Sequence, residues 1–312
     1  VWDAGHAASP LEQRLPAGRR AELLATIGPD AIIDASVVGD VNDIGLSAAV
    51  AYTGPRTGVA GDGELRSGDA LVVATSGTTG QPKGVILTHD AVAASARATS
   101  ERLDVDATSR WLACLPLSHV GGLAVVCRAL VVGTDLVVHA RFDAAAAMAS
   151  GATHVSLVRA ALTEVDPAAF HRILLGGSAP PDELPPNVTV TYGSTETGSG
   201  VVYDGRPLTG TEIDIAADGT IRLAGPTLLR CYRDGTTPLR DGWLSTGDLG
   251  RWSDDGQLEV LGRADDLIVT GGENVWPDAV ERLLATHPLV AEVAVTGTAD
   301  DRWGQIVTAH VV

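Results

Sequence analysis

"ALVVATSGTTGQPKGVILT" (residues 70–88) decides how this chain is read: two apolar runs, 70–74 and 84–88, border a loop rich in Gly, Thr and Ser around one Lys. Five apolar residues bounded by turn formers read as a buried strand, so the stretch predicts strand, Gly-rich loop, strand. The loop does not fit the phosphate loop of kinases and GTPases. That motif needs Gly directly before its Lys, Ser or Thr directly after it, and then a helix. Here Lys83 stands between Pro82 and Gly84, and a second strand follows. Backbone N–H groups and hydroxyls among permissive glycines can still receive a polyphosphate, although the same composition also suits a plain polar turn.

Composition narrows what such a loop would serve. With 312 residues, 45% of them hydrophobic, the chain can bury a sizeable core and is long enough for one large domain and a smaller one. A net charge of −17 argues against nucleic acid and anionic membrane as partners, because both need clustered basic residues. Lys83 is the single lysine beside 21 arginines, so an anionic ligand must meet a local positive site. Cys114, Cys127 and Cys231 are scattered without metal-ligand spacing, which fits a reduced, cytoplasmic protein. Residues 120–140 are the most apolar, but Arg128 and Asp135 interrupt them, and no membrane insertion is expected. The chain begins at Val1 and its single methionine is Met148, so the natural N-terminus is expected to lie outside this sequence.

Outward from the loop, the pattern predicts a helix over 16–26, a short strand at 31–33 and surface loops over 39–69. Thr88 can cap a helix over the following "DAVAASARATSERL". Strand-like runs at 111–115, 136–139, 155–158, 172–175 and 188–191 alternate with helical patterns, which argues for a largely parallel α/β sheet. From Thr211 short strands and turns take over, with Asp218-Gly219 and Asp255-Gly256 as hairpin turns of an antiparallel portion. After about Asp266 come a strand, the turn "TGGENVW", a helix near Pro277 and a last pair of strands.

Several motifs now stand in order, and together they resemble the acyl-adenylate-forming superfamily of acyl-CoA synthetases, luciferases and peptide-synthetase adenylation domains. The Gly-rich loop is similar to its phosphate signature, which implies that Thr75, Ser76, Gly77, Thr78, Thr79, Gly80 and Lys83 meet ATP. "YGSTETG" (192–198) resembles the second signature. The resemblance gives Thr195 to the nucleotide phosphate, Glu196 to Mg2+, Tyr192 and Gly193 to the nucleotide, and Ser194 and Gly198 to the acyl substrate. "LLGGSAPP" (174–181) resembles the adenine-lining segment, through Gly176, Gly177 and Ser178. "STGDLG" (245–250) places Asp248 on the ribose, and the hinge-like "GRADDLIVTGGENVWPDAVE" (262–281) supplies Arg263 as a second ribose contact, Asp265 as pivot and Gly271 to Asn274 towards the thiol. "PLSHVGG" (116–122) resembles the acyl-pocket segment, implying His119 and Gly121.

The chemistry agrees residue by residue. A carboxylate accepts from both hydroxyls of a vicinal diol, and Glu is a hard-oxygen ligand suited to magnesium. Taken singly, Asp248 would be a turn residue, Glu196 a surface acid and His119 a satisfied core histidine; only the ordered set changes that. The resemblance implies an α/β adenylate-forming domain over 1–264, with layered sheets and a small antiparallel portion, and a smaller α+β lid domain over 265–312. Its activity would be that of an ATP-dependent acid–CoA ligase, with ATP, Mg2+ and coenzyme A as cofactor and co-substrates and a small carboxylic acid as partner. A homodimer is left open.

Superfamily members carry a lysine in the lid domain that contacts the acyl phosphate. None stands here, so the lid is expected to continue past Val312. Only 74 residues precede the phosphate loop, as in compact bacterial members such as the o-succinylbenzoate–CoA ligases of menaquinone biosynthesis. Their substrate keeps a second, unreactive carboxylate. Arg128, nine residues after His119, is the side chain that can grip it bidentately; its alternative is a solvated helix face. Two other readings stay open: an adenylation enzyme that loads a carrier protein, and a non-catalytic protein that binds nucleotide or acyl-adenylate.

Overall fold

The computed structural model describes residues 7–11, 15–29, 31–32, 50–51, 61–75, 82–181 and 183–312. The chain forms two compact units, residues 1–211 with 225–238, and residues 212–224 with 239–312. The boundary expected at 264/265 falls inside the second unit, where one sheet ends and the next begins.

The first unit is built on a seven-stranded sheet in the order Arg206–Pro207, Ser199–Tyr203, Val188–Ser194, Arg172–Leu175, His154–Leu157, Arg110–Ala113, Asp135–Val138. The five strands from Val188–Ser194 onward are parallel, as the alternating pattern predicts. The two at the other edge run antiparallel, because the chain reverses through the single turn Thr195–Thr197 and leaves no length for a crossover. Strand periodicity sorts the side chains between two faces. Leu112, Ile173, Val155 and Leu175 meet Phe170, Leu162 and Ala147 on one, while Trp111, Ala113 and Leu174 meet Val125, Ala129 and Ala98 on the other. Val125 and Ala129 belong to helix Val120–Val132, the crossover between Arg110–Ala113 and Asp135–Val138, and Ala98 belongs to helix His89–Arg102 beside it. Thr88 caps that second helix as expected, its Oγ1 accepting from the N–H of Ala91 at 3.1 Å.

The opening stretch forms the hairpin that its pattern predicts. Strands Asp69–Thr75 and Lys83–Thr88 pair antiparallel, with Thr75 opposite Lys83, and Cys231–Tyr232 adds a third strand. Helix Ala17–Ile27 ends at Gly28 in the left-handed conformation and packs Ile27 against Val72, Ile86 and Cys231. One correction concerns residues 39–69, read as loops: Val50–Ala51 pairs with Ala31–Ile32 as a strand. A two-residue strand is too short to leave a period in the sequence.

Arginines fasten this hairpin to its surroundings. Arg230 grips both oxygens of Asp69 at 2.9 and 2.8 Å and donates to the carbonyls of Asp62 and Glu64. Arg233, buried, donates to the carbonyls of Ile27, Gly28 and Gly63, placing a cation at the C-terminal end of helix Ala17–Ile27.

The second unit holds two antiparallel sheets. One orders Glu212–Ile215, Thr220–Ala224, Trp243–Trp252 and Leu239–Arg240, with Leu258–Arg263 also on Trp243–Trp252. Both expected hairpin turns occur, with Gly219 and Gly256 at positive φ. The other orders Glu273–Val275, Ile268–Thr270, Gly304–Val311 and Val293–Asp300, and helix Pro277–Ala285 packs on the last. Among the described residues no helix is long and apolar enough to cross a membrane.

Two stability predictions follow from the first unit. Asp69 is 4% exposed, so Arg230→Ala strands a buried carboxylate and is expected to cost about 3–5 kcal/mol in a urea titration, whereas an exposed pair such as Arg110–Asp135 is worth under about 1 kcal/mol. His154 lies buried 5.0 Å from the Trp111 ring, with Nε2 unpartnered. Burial first, and then the positive charges of His171, Arg128 and Arg172, push its pKa down to about 4. The unfolded histidine takes its proton near 6.5, so this contribution to stability is full above pH 6.5 and is lost as pH falls towards 4. His154→Leu should flatten the fall in urea midpoint between those two pH values.

Candidate active site

Several of the expected residues, and others beside them, are far apart in sequence but follow the carboxyl ends of adjacent parallel strands. Arg110–Ala113 runs on to His119, His154–Leu157 to Val158 and Arg159, Arg172–Leu175 to Gly176, Gly177 and Ser178, and Val188–Ser194 to Thr195 and Glu196. Parallel pairing sends all four exits to one edge of the sheet, the edge at which open α/β sheets hold ligands.

Several of the expected residues turn out to be glycines for reasons of space. A Cβ on Gly176 would lie 2.8 Å from Oγ1 of Thr191, and one on Gly193 would collide with the carbonyl of Ser199 across the hairpin. Gly177 and Gly198 both sit at positive φ. Gly177 and Ser178 line an open cavity of about 490 Å³ together with Val158, Arg159, Ala160 and Thr163. Arg159, exposed at this cavity, escaped the sequence reading because a lone arginine after a strand carries no motif.

The turn carrying Thr195 and Glu196 is held from within. Thr197, fully buried, accepts from the N–H of Ser194 at 2.8 Å and donates to the carbonyl of Ser199 at 2.6 Å. Tyr192 and Ser194 lie on the strand that leads into this turn. Glu196 is half-buried, and its Oε1 accepts from the hydroxyl of Tyr232 at 3.0 Å. Burial, and then the Glu196 carboxylate, raise the Tyr232 pKa above the ordinary phenol value, which keeps the hydroxyl a donor. Lys83 sets its Nζ 4.6 Å from the centre of the same ring. Of the phosphate loop, Thr75 and Lys83 stand opposite each other at the hairpin's end, while Ser76, Gly77, Thr78, Thr79 and Gly80 lie outside the described residues. Tyr232 was missed in the sequence, where only pairing of Cys231–Tyr232 with Lys83–Thr88 reveals its place.

His119 is exposed at the N-terminal end of helix Val120–Val132, with Gly121 open beside it. Arg128 does not lie on a solvated face: it is 3% exposed, with its guanidinium carbon 4.4 Å from the centre of the Trp111 ring. Its Nε and Nη1 have no hydrogen-bond partner, and no salt bridge to it occurs among the described residues. Burial lowers its pKa from the ordinary guanidinium value.

The second unit brings its two expected ribose contacts together. Asp248 and Arg263 are cross-strand partners, and Nη1 of Arg263 donates to Oδ1 of Asp248 and to the carbonyl of Thr246, both at 3.1 Å. Asp265 is exposed on the one-turn helix Ala264–Asp266. Gly271 and Gly272 take positive φ, and Gly271 leaves room for the Trp303 ring.

Among the described residues no cluster of three or more His, Cys, Asp or Glu side chains could hold a metal by itself. A single carboxylate such as Glu196 fits magnesium, which is usually bound through one or two carboxylates with waters and substrate phosphates supplying the rest.

Comparison with known proteins identifies the family. The AMP-binding enzyme family matches residues 1–232 and its C-terminal domain matches residues 279–312; the chain belongs to this family. It is 42% identical over 285 residues to the probable 2-succinylbenzoate–CoA ligase of Mycobacterium tuberculosis, covering 80% of this chain and 74% of that one. It is 35% identical over 311 residues to the 2-succinylbenzoate–CoA ligase of Bacillus anthracis, covering 85% and 64%. Among solved structures, o-succinylbenzoate CoA synthetase (MenE) of Bacillus subtilis with ATP and magnesium superimposes with a TM-score of 0.79 at 29% identity, covering 98% of this chain and 74% of that chain. The same enzyme with its acyl-adenylate intermediate gives 0.71 at 34%, covering 77% and 58%. The chain thus spans less than two thirds of the length of some of these relatives and about three quarters of others.

The Thr197 hydroxyl is the bond-maker of the Glu196 turn, so Thr197→Val, which keeps the volume but removes the oxygen, should lower stability by about 1–3 kcal/mol. It should also weaken Mg·ATP binding in calorimetry.

Proposed function

We propose that the chain is the adenylating part of an ATP-dependent acid–CoA ligase acting on 2-succinylbenzoate or a close dicarboxylate analogue. The observation that carries the substrate is Arg128. A buried guanidinium with two unpartnered nitrogens is unfavourable unless an anion meets it, and an unreactive substrate carboxylate supplies that anion. Arg128 follows His119 by nine positions, on helix Val120–Val132, with its guanidinium on the buried face that packs on Trp111. The named relatives support the same reading, since they share the activity in their names and 35–42% of their residues.

In the first half-reaction an oxygen of the substrate carboxylate attacks the α-phosphorus of ATP, and the bond to the leaving pyrophosphate breaks. Lys83, with the Gly-rich loop, neutralises charge on the β- and γ-phosphates, and Thr195 donates to the phosphoryl oxygens. Magnesium, when bound, would offset phosphate charge as a Lewis acid, and Glu196 would hold it. Gly176, Gly177 and Ser178 flank the base, and Asp248 with Arg263 takes the ribose hydroxyls. In the second half-reaction the thiol sulfur of CoA attacks the acyl carbon, AMP leaves, and the thiol proton passes to solvent. Asp265 would be the pivot between the half-reactions, with Gly271 to Asn274 approaching the thiol. The three cysteines, all free and buried, support a cytoplasmic setting.

The test is pyrophosphate release from ATP with 2-succinylbenzoate, with and without CoA, in the full-length protein. Release and thioester formation are expected. Thioester only on a carrier protein, or no release with intact nucleotide binding, would overturn the assignment in favour of a carrier-loading enzyme or a binding protein. Arg128→Ala should raise KM for 2-succinylbenzoate about a hundredfold and leave a monocarboxylate analogue lacking the ring carboxylate nearly unchanged. Equal effects on both acids would remove Arg128 from the clamp.

A further inference from the structure

The geometry points to Tyr232 as a positioning residue that ties the lysine of the phosphate loop to the carboxylate of the Thr195–Thr197 turn: its hydroxyl orients Glu196 and its ring seats Lys83. The inference rests on the nucleotide-binding half of the proposed function and is independent of which acid is the substrate.

Glu196 and Lys83 come from different sheets, the first from the turn after a strand of the seven-stranded sheet, the second from the start of a strand in the three-stranded one. Residues 229–233 bracket both. The N–H of Leu229 donates to the carbonyl of Glu196 at 2.8 Å, and those of Arg230 and Arg233 donate to the carbonyls of Ile86 and Gly84 at 2.9 and 2.8 Å. Arg230 and Arg233 anchor the same five residues through their side chains, so the backbone that carries Tyr232 cannot shift without breaking several bonds. Tyr232 is 7% exposed, its position in the pairing opposite Val85 is set by strand register, and its hydroxyl reaches Oε1 of Glu196.

Two consequences follow for Glu196. A carboxylate on three rotatable bonds samples many rotamers in water; one donor fixed to Oε1 holds the group in one orientation and leaves Oε2 as the oxygen available to a cation. A phenol is suited to that task because it donates one hydrogen bond without adding positive charge that would compete with magnesium. For Lys83, the ring face 4.6 Å from Nζ attracts the ammonium without neutralising it, so the charge remains available to phosphate.

The experiment is calorimetric titration of the full-length protein and its Tyr232→Phe variant with Mg2+ and a non-hydrolysable α,β-methylene ATP, beside titration with AMP in EDTA. Removing one oxygen should weaken Mg-nucleotide binding about tenfold and raise the Mg2+ concentration for half-maximal pyrophosphate release by a similar factor. AMP affinity and melting temperature should stay near the parent's. Tyr232→Leu, which also removes the ring face, should weaken Mg-nucleotide binding further. In a Glu196→Gln background the effect of Tyr232→Phe on Mg-nucleotide binding should largely vanish, because the two residues act as one unit. Equal losses for AMP and Mg-nucleotide, or additive effects of the two substitutions, would overturn the assignment. If the parent binds no Mg-nucleotide at all, the proposed function fails instead, which separates the two results.

Discussion

Parallel strand pairing is the constraint on which the first unit depends. Because the five strands from Val188–Ser194 to Asp135–Val138 point the same way, every loop that leaves a carboxyl end emerges at one edge, and the connections must return as crossovers. The Gly176–Ser178 turn, the Thr195–Thr197 turn and the His119 segment therefore gather at that edge although up to about eighty residues separate them. The interiors of the three central strands, Arg110–Ala113, His154–Leu157 and Arg172–Leu175, are largely buried and supply the rigidity that short loops lack.

The antiparallel hairpin with Lys83 at its end solves a different problem. In the proposed function its loop comes close to polyphosphate, which calls for glycines, and glycines alone cannot hold a lysine in place. The bracket of residues 229–233 does this from outside the loop. Three arginines show how differently one side chain is used in an acidic protein: Arg230 is neutralised by Asp69, Arg233 is saturated by carbonyls, and Arg128 is left stacked on Trp111 with unpartnered nitrogens. Arg230 and Arg233 find their partners within the fold, and the unpartnered nitrogens of Arg128 are the observation on which the proposed substrate rests.

Much of this was readable from residue order. The strand–loop–strand at 70–88 followed from two apolar runs too short for helices, and the cap at Thr88 from its side chain. The resemblance to the acyl-adenylate-forming enzymes, carried by ordered motifs, agrees with the family matches. The pairing of Val50–Ala51 with Ala31–Ile32 was not legible, since two residues hold no period. Nor was the burial of Arg128, which sits in an apolar helix whose pattern does not say which face receives the exception. Tyr232 was invisible for a related reason, because "CY" before a turn has no meaning until its strand is paired.

Sequence alone therefore settles which chemical groups are present and in what local conformation: apolar runs, caps and glycines act through neighbours a few residues away. What depends on the folded chain is which of those groups meet. Contacts such as Tyr232 with Glu196, Arg230 with Asp69 and Arg128 with Trp111 span 36, 161 and 17 residues. They exist because sheet order and strand register close long loops, and no local propensity encodes that closure.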